Sequence, residues 1–234
     1  MDIGEKLIEE LGVTTVFHIG PIAVTESILN QWILIGIILI LCIVLTRNLR
    51  VENPGRRQLF VESFVSWMKK VTTGMLGEEA KSYWTFTFTV LVFLAGCDMA
   101  GLLETRIIHG FTFMKPPTKD LNVPLAMALT SIVVVEAAGI IRKGVGGWLK
   151  SFTKPIAVIT PINILELFIK PLSLCMRLFG NIFGAFIIME LLKTIVAFVL
   201  PVPFSLYFDI FDGLIQAYVF VFLTSIYIGE AVEE

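Results

Sequence analysis

The sequence predicts an all-α, polytopic membrane protein of about five membrane helices, with the last two forming a long, strongly tilted hairpin. Three observations carry this expectation. Hydrophobic residues make up 56% of the 234-residue chain and charged residues 16%, where a soluble domain holds roughly 45–50% and ~25%. The apolar residues gather into runs about as long as the ~20 residues that cross a bilayer core. From residue 161 onward the runs become too long for an upright span. This composition excludes a soluble or disordered protein. A formal net charge of −2 at pH 7 implies no nucleic-acid partner. Cys42, Cys97 and Cys175 lie in separate apolar runs with no CxxC pair, so they read as buried membrane filler.

Each element follows in chain order. Residues 1–27 begin polar and acidic, with Asp2, Glu5, Glu9 and Glu10 against Lys6. They lack the basic start of a signal peptide. Residues 28–46 are the first span, closed by Arg47 and Arg50. Residues 47–83 set Leu59, Phe60, Phe64, Trp67 and Met68 against Arg56, Arg57, Lys69 and Lys70. That is the pattern of a helix lying on a membrane surface, with a partner-binding helix as the competing reading. Residues 84–103 are the second span, with Asp98 and Glu104 near its end. A Pro/Lys-rich loop, 104–120, leads to the third span at 121–141, which one acid, Glu136, interrupts. The loop 142–160 carries Gly144, Gly146 and Gly147. No GK[ST] follows them, so they read as a flexible turn rather than a phosphate loop.

Residues 161–234 are the hairpin. Its first arm, 161–199, is broken only by Glu166, Lys170, Arg177, Glu190 and Lys193. As one helix it would be ~58 Å long, against a hydrocarbon core of ~30 Å. It must tilt, kink near Pro171 or break. Pro201-Val202-Pro203 makes a turn, and 204–229 is the second arm, with Asp209, Asp212 and Gln216.

Lys and Arg near span ends set orientation. The 47–81 connection holds seven, the 142–154 connection four, and the 104–120 loop three. The first and second of these therefore face the cytoplasm. The N-terminus and 104–120 face outside, and the C-terminus, with Glu230, Glu233 and Glu234, is cytoplasmic.

An Arg at mid-membrane costs somewhere between ~2.5–3.5 and ~10–17 kcal/mol. Arg177 lies too deep in its apolar run to snorkel easily, so it must pair, or face water or a partner. Lys170 and Lys193 lie nearer a turn or helix end, where snorkelling suffices. At 100° per residue, Glu166, Lys170, Arg177 and Gly184 fall within about 40° of one another, with Asn181 on the flank. Gly180 and Gly184 form a small-xxx-small pair beside Arg177, suited to a closely passing neighbour. Packing within the chain is the plainer reading of those glycines alone, and a central Arg on the same stripe makes it the lesser one. Glu190 points about 140° away from Arg177. Asp209 and Gln216 are nearly aligned, with Asp212 about 60° off. Carboxylates and an amide in hydrocarbon suggest a wet path for a proton or cation; hydrogen bonds across the hairpin are the alternative. His18 and His109 have no ligand-spaced partners. No HExxH, GxSxG or nucleotide loop is present, and no cofactor is implied.

The run KPLSLCMRLFGNIFGAF at 170–186, with PIN…E at 161–166, LIQAYVFVFLTSIYI at 214–228 and KDLNVPLAMAL at 119–129, resembles subunit a of the rotary F-type ATP synthases. The resemblance implies a non-catalytic stator in a bacterial plasma membrane, beside a ring of c subunits. It would be joined by peripheral-stalk b subunits and the rest of the complex. It passes protons, or in some members sodium ions, to and from the ring through two half-channels. Arg177 would be the essential arginine facing the ring, Asn181 its neighbour, and Gln216 the glutamine close to it on the last helix. Asp209 takes the place where relatives carry His or an acid in the access half-channel. Relatives usually have Glu or His where this chain has Phe186. Glu190, one turn on, and Asp212 are the two candidates to stand in for it.

This role is physically coherent. A carboxyl group in lipid prefers its neutral form, and a guanidinium opposite it favours the ionised one. A ring site would therefore release its proton at Arg177, and the fixed positive charge would repel a proton leaking directly across. A self-contained ion transporter or channel is the rival, but no internal repeat is visible. A structural scaffold would not need charges inside its apolar stretches.

Overall fold

A computed structural model describes residues 15–19, 22–51, 53–106, 117–153, 157–195 and 207–233. Among the described residues six α-helices carry the fold: α1 (Glu26–Thr46), α2 (Arg56–Leu76), α3 (Trp84–Arg106), α4 (Asn122–Ser151), α5 (Thr160–Ile195) and α6 (Gly213–Val232). His109 and the middle of the outer loop, 107–116, and the turn at 201–203 lie outside the described residues.

In hydrocarbon every backbone polar group must be satisfied within the protein, so long apolar runs become helices. The first begins at Thr25, whose side-chain oxygen accepts from the Ile28 N–H at 3.4 Å. Glu26 adds negative charge to the helix's positive end. Of α1, Asn30 and Leu34 are buried, while Ile33, Ile37, Leu41 and Val44 are exposed. Such a surface suits lipid and would be an aggregation hazard in water.

Helix α6 is the centre of the bundle. Its Ala217, Phe220 and Val221 share one cluster with Met68 of α2, Leu94 of α3, Ile132 of α4, and Leu174 and Leu178 of α5. Further along, Ile228 and Val232 pack with Leu76, Ala80, Val135 and Ala138. Between helices in lipid this packing acts through dispersion and close fit rather than water release.

The structure departs from the sequence expectation in two places. A two-stranded antiparallel hairpin, β1 (Thr15–Ile19) and β2 (Ile22–Thr25), precedes α1, with Phe17 opposite Val24 and His18 opposite Ala23. Its signal was present as β-branched and aromatic residues on either side of Gly20-Pro21. The third span does not give way to a loop at residue 142. Helix α4 breaks at Gly144, where φ is 71° and ψ is 163°, then resumes to Ser151. Only glycine takes that φ at no steric cost. Of the alternatives open to the first arm, a break does not occur over Thr160–Ile195: α5 is helical throughout its 36 residues, with Pro171 inside it. Among the described residues, four helices are long and apolar enough to cross a membrane, carried by α1, α3, α4 and α6, as a polytopic membrane protein requires. The charged α5 is not among them, although at about 54 Å it exceeds the ~30 Å core.

Candidate functional site

The site is built on α5 and α6. One face of α5 is sealed into the bundle through Leu174, Cys175 and Leu178. Arg177 is therefore turned outward, and it is exposed. Among the described residues no carboxylate forms an ion pair with it. Beside it, a Cβ added at Gly180 or Gly184 would meet no atom within 4 Å. The glycine pair is thus not used for packing among the described residues. Asn181 is half-buried on the same helix.

Lys170, one and a half to two turns before Arg177, does more than snorkel. Its ammonium lies 3.1 Å from Glu230 and 3.8 Å from Glu166, and 4.9 Å from the centre of the Tyr227 ring. This ties α5 to the end of α6. A cavity of about 160 Å³ opens there, lined by Glu136, Lys143, Glu166, Lys170, Tyr227 and Glu230. Glu136, the acid that interrupts the third span, accepts a hydrogen bond at 2.7 Å from the Trp148 indole N–H. The break at Gly144 is what brings Trp148 back to it.

At the opposite end of α6 lies a second polar group. Gln216 is 7% exposed, and its Nε2 has no partner among the described residues. Asp212 is half-buried at the end of a π-helical turn, Tyr207–Asp212, that leads into α6. Across from them is Asp98 of α3, 8% exposed. Its Oδ1 accepts from the Thr118 hydroxyl at 3.1 Å, and its Oδ2 has no partner among the described residues. The helices touch here, for a Cβ built on Gly213 would stand 2.8 Å from the Asp98 Cβ. The sequence shows Asp98 as an isolated acid in an apolar span, but not that it faces α6 rather than lipid.

The structure thus gathers Asp98, Thr118, Asp212, Gly213 and Gln216 at one end of α6, and a charged cavity at the other. About 26 Å of helix separates Gly213 from Glu230 at ~1.5 Å per residue. Between them Ala217, Phe220, Val221 and Ile228 are buried and apolar. Arg177 and Gln216 sit on helices joined through the cluster of Leu174, Leu178, Ala217 and Phe220. The side chains of Phe186, Glu190 and Asp209 lie outside the described residues. No group of three or more His, Cys, Asp or Glu placed to hold a metal occurs among the described residues.

Comparison with known proteins shows the family of the chain. The family model described as ATP synthase A chain matches residues 28–229. ATP synthase subunit a of Moorella thermoacetica is 32% identical over 217 residues, covering 93% of this chain and 95% of that protein. ATP synthase subunit a 2 of Bradyrhizobium sp. strain BTAi1 is 30% identical over 219 residues, covering 94% of each. The chain belongs to the ATP synthase A chain family.

Proposed function

We propose that this chain is the ion-conducting stator of a rotary ATP synthase, and that Arg177 is the residue that separates its two access paths. The observation that carries this is an outward-facing arginine with no carboxylate partner among the described residues, beside two glycines whose face is open. A lone charge in an apolar helix is costly unless a partner or water meets it. The open glycine face suits a closely passing helix of a c-subunit ring, and the ring carboxylate would be the partner Arg177 lacks among the described residues. The peripheral-stalk b subunits and the rest of the complex complete the assembly. No catalytic site is assigned to the chain itself.

Two polar ends on α6, separated by the buried Ala217, Phe220 and Val221 and by only the small hydroxyls of Thr224 and Ser225, support paired half-channels that do not meet. In the orientation set by the basic loops, the N-terminus is outside and the C-terminus cytoplasmic. The Asp98 end then faces outward and the Glu230 cavity inward. Asn181 flanks Arg177, and Gln216 lies on the neighbouring helix. Asp209, Asp212 and Glu190 supply protonatable groups, with Glu190 or Asp212 replacing the group missing at Phe186. Asp98 and Thr118 join the outer set. An α5 longer than the membrane core lies obliquely, which lets one helix face both paths and the ring.

One charge falling through the membrane potential carries ~2.3 kcal/mol per 100 mV. A leak past Arg177 would discard that work, so a fixed charge at this point matters more than its helix's stability. A self-contained transporter is not favoured, because both relatives are named as subunits. The test is Arg177→Ala in membranes holding the whole complex. ATP-driven ion pumping should be lost with the complex still assembled. Near-normal coupled pumping would overturn the reading.

A further inference from the structure

We propose that the basic cavity between α1 and α2 binds the phosphate headgroup of an anionic phospholipid. This site stands apart from the ion path and does not depend on it. The cavity, about 430 Å³, is lined by Arg47, Asn48, Arg50, Asn53, Arg56 and Arg57. Within residues 47–58 the one acid is Glu52, against four arginines. Among the described residues none of the four arginines forms an ion pair.

The cavity is built rather than incidental. The Gln58 side chain brackets the loop. Its Oε1 accepts from the Arg50 N–H, and its Nε2 donates to the Arg50 carbonyl, each at 2.9 Å. Nε2 also donates to Glu62 at 2.7 Å, which anchors the bracket to α2. Asn48 and Asn53 take left-handed φ values of 63° and 58°, so the chain bends twice around the hollow.

The electrostatics call for an anion. Helix α2 starts at Gly55 with no side-chain cap and no acid in its first turn. Arg56 and Arg57 instead add positive charge to the helix's positive end, where anions are favoured. A retained excess of positive charge explains orientation, but not why four arginines line one braced hollow. Arginine's planar fork matches phosphate oxygens.

Position selects a lipid. The cavity lies where α1 leaves its exposed apolar stretch of Leu41, Ile43 and Val44. A phosphate seated there would have its acyl chains alongside α1. The exposed Phe60, Phe64 and Trp67 of α2 continue the same apolar border. Basic pockets beside membrane helices are a recurrent site for anionic headgroups.

The test uses the whole complex in phosphatidylcholine vesicles containing a photoactivatable phosphatidylglycerol. Crosslinks should map to residues 47–58, and unlabelled phosphatidylglycerol should compete. At about fivefold per charge, Arg56→Gln with Arg57→Gln should raise the competing concentration roughly 25-fold. Arg56→Lys with Arg57→Lys, which keeps both charges, should raise it far less. If the glutamine pair fails to assemble, Arg47→Gln with Arg50→Gln supplies the same comparison. Crosslinks elsewhere, or competition unchanged in the variants, would overturn the site. Displacement by millimolar inorganic phosphate as readily as by the lipid would overturn the lipid as its occupant.

Discussion

The closest approach between the elements of the site offers its sharpest test. At Gly213 an added methyl group would stand 2.8 Å from the Cβ of Asp98 and 3.6 Å from its Cγ. Carbon atoms settle at about 3.5–4.0 Å, so Gly213→Ala must push α6 and α3 apart by roughly 1 Å. The atom in the way is a Cβ, fixed to the backbone, and no rotamer change can clear it. Overpacking of this kind costs about 1–3 kcal/mol. Alanine recovers about 0.5–1 kcal/mol of helix preference over glycine. The net loss expected is therefore about 0.5–2 kcal/mol, measurable as a lower midpoint when the purified complex is titrated with denaturing detergent. The shift also moves Gln216, one turn along α6, so ATP-driven pumping should fall. Adding Asp98→Gly, which removes the opposing Cβ, should recover part of the stability; adding Asp98→Ala, which keeps it, should not. A Gly213→Ala complex as stable and active as the parent would refute the contact.

Other expectations follow from the same geometry. Asp98→Asn keeps an acceptor for Thr118 but removes the charge. It should slow passive ion flow through the assembled complex severalfold, and unchanged flow would remove Asp98 from the path. Glu190→Gln and Asp209→Asn should each slow ATP-driven pumping. A Glu190→Gln complex that pumps normally would leave Asp212 as the stand-in at Phe186. Trp148→Phe deletes the indole donor to Glu136, a charge-assisted bond of about 1.5–3 kcal/mol at most. Because Glu136 is half-buried and water can replace the donor, a loss near 1 kcal/mol is expected by thermal melting of the complex. No change would mean the Gly144 fold-back does not depend on that bond.

Local periodicity and distant contact divided the rest between them. Helices α1, α3, α4 and α6 were legible because an apolar run longer than a bilayer core has few other ways to satisfy its backbone. The polar stripe of Glu166, Lys170 and Arg177 was legible for a similar reason. It depends only on 100° steps along one helix, and α5 stays helical past Pro171. The strands Thr15–Ile19 and Ile22–Thr25 carry only a short signal, a few β-branched and aromatic residues about Gly20-Pro21, beside an apolar run long enough to span a membrane.

A charge in an apolar run declares its cost, but its partner is set by chain that lies far away. Lys170 meets Glu230, sixty residues on. Asp98 meets Thr118 and the bare backbone of Gly213. The four arginines of 47–57 read in sequence as orientation signals, and became one cavity only when Gln58 and the two left-handed asparagines bent the loop around it. Spacing along one helix sufficed to single out Arg177. Only packing decided that its glycine face stays open among the described residues, because an open face is a property of where the neighbouring helices went.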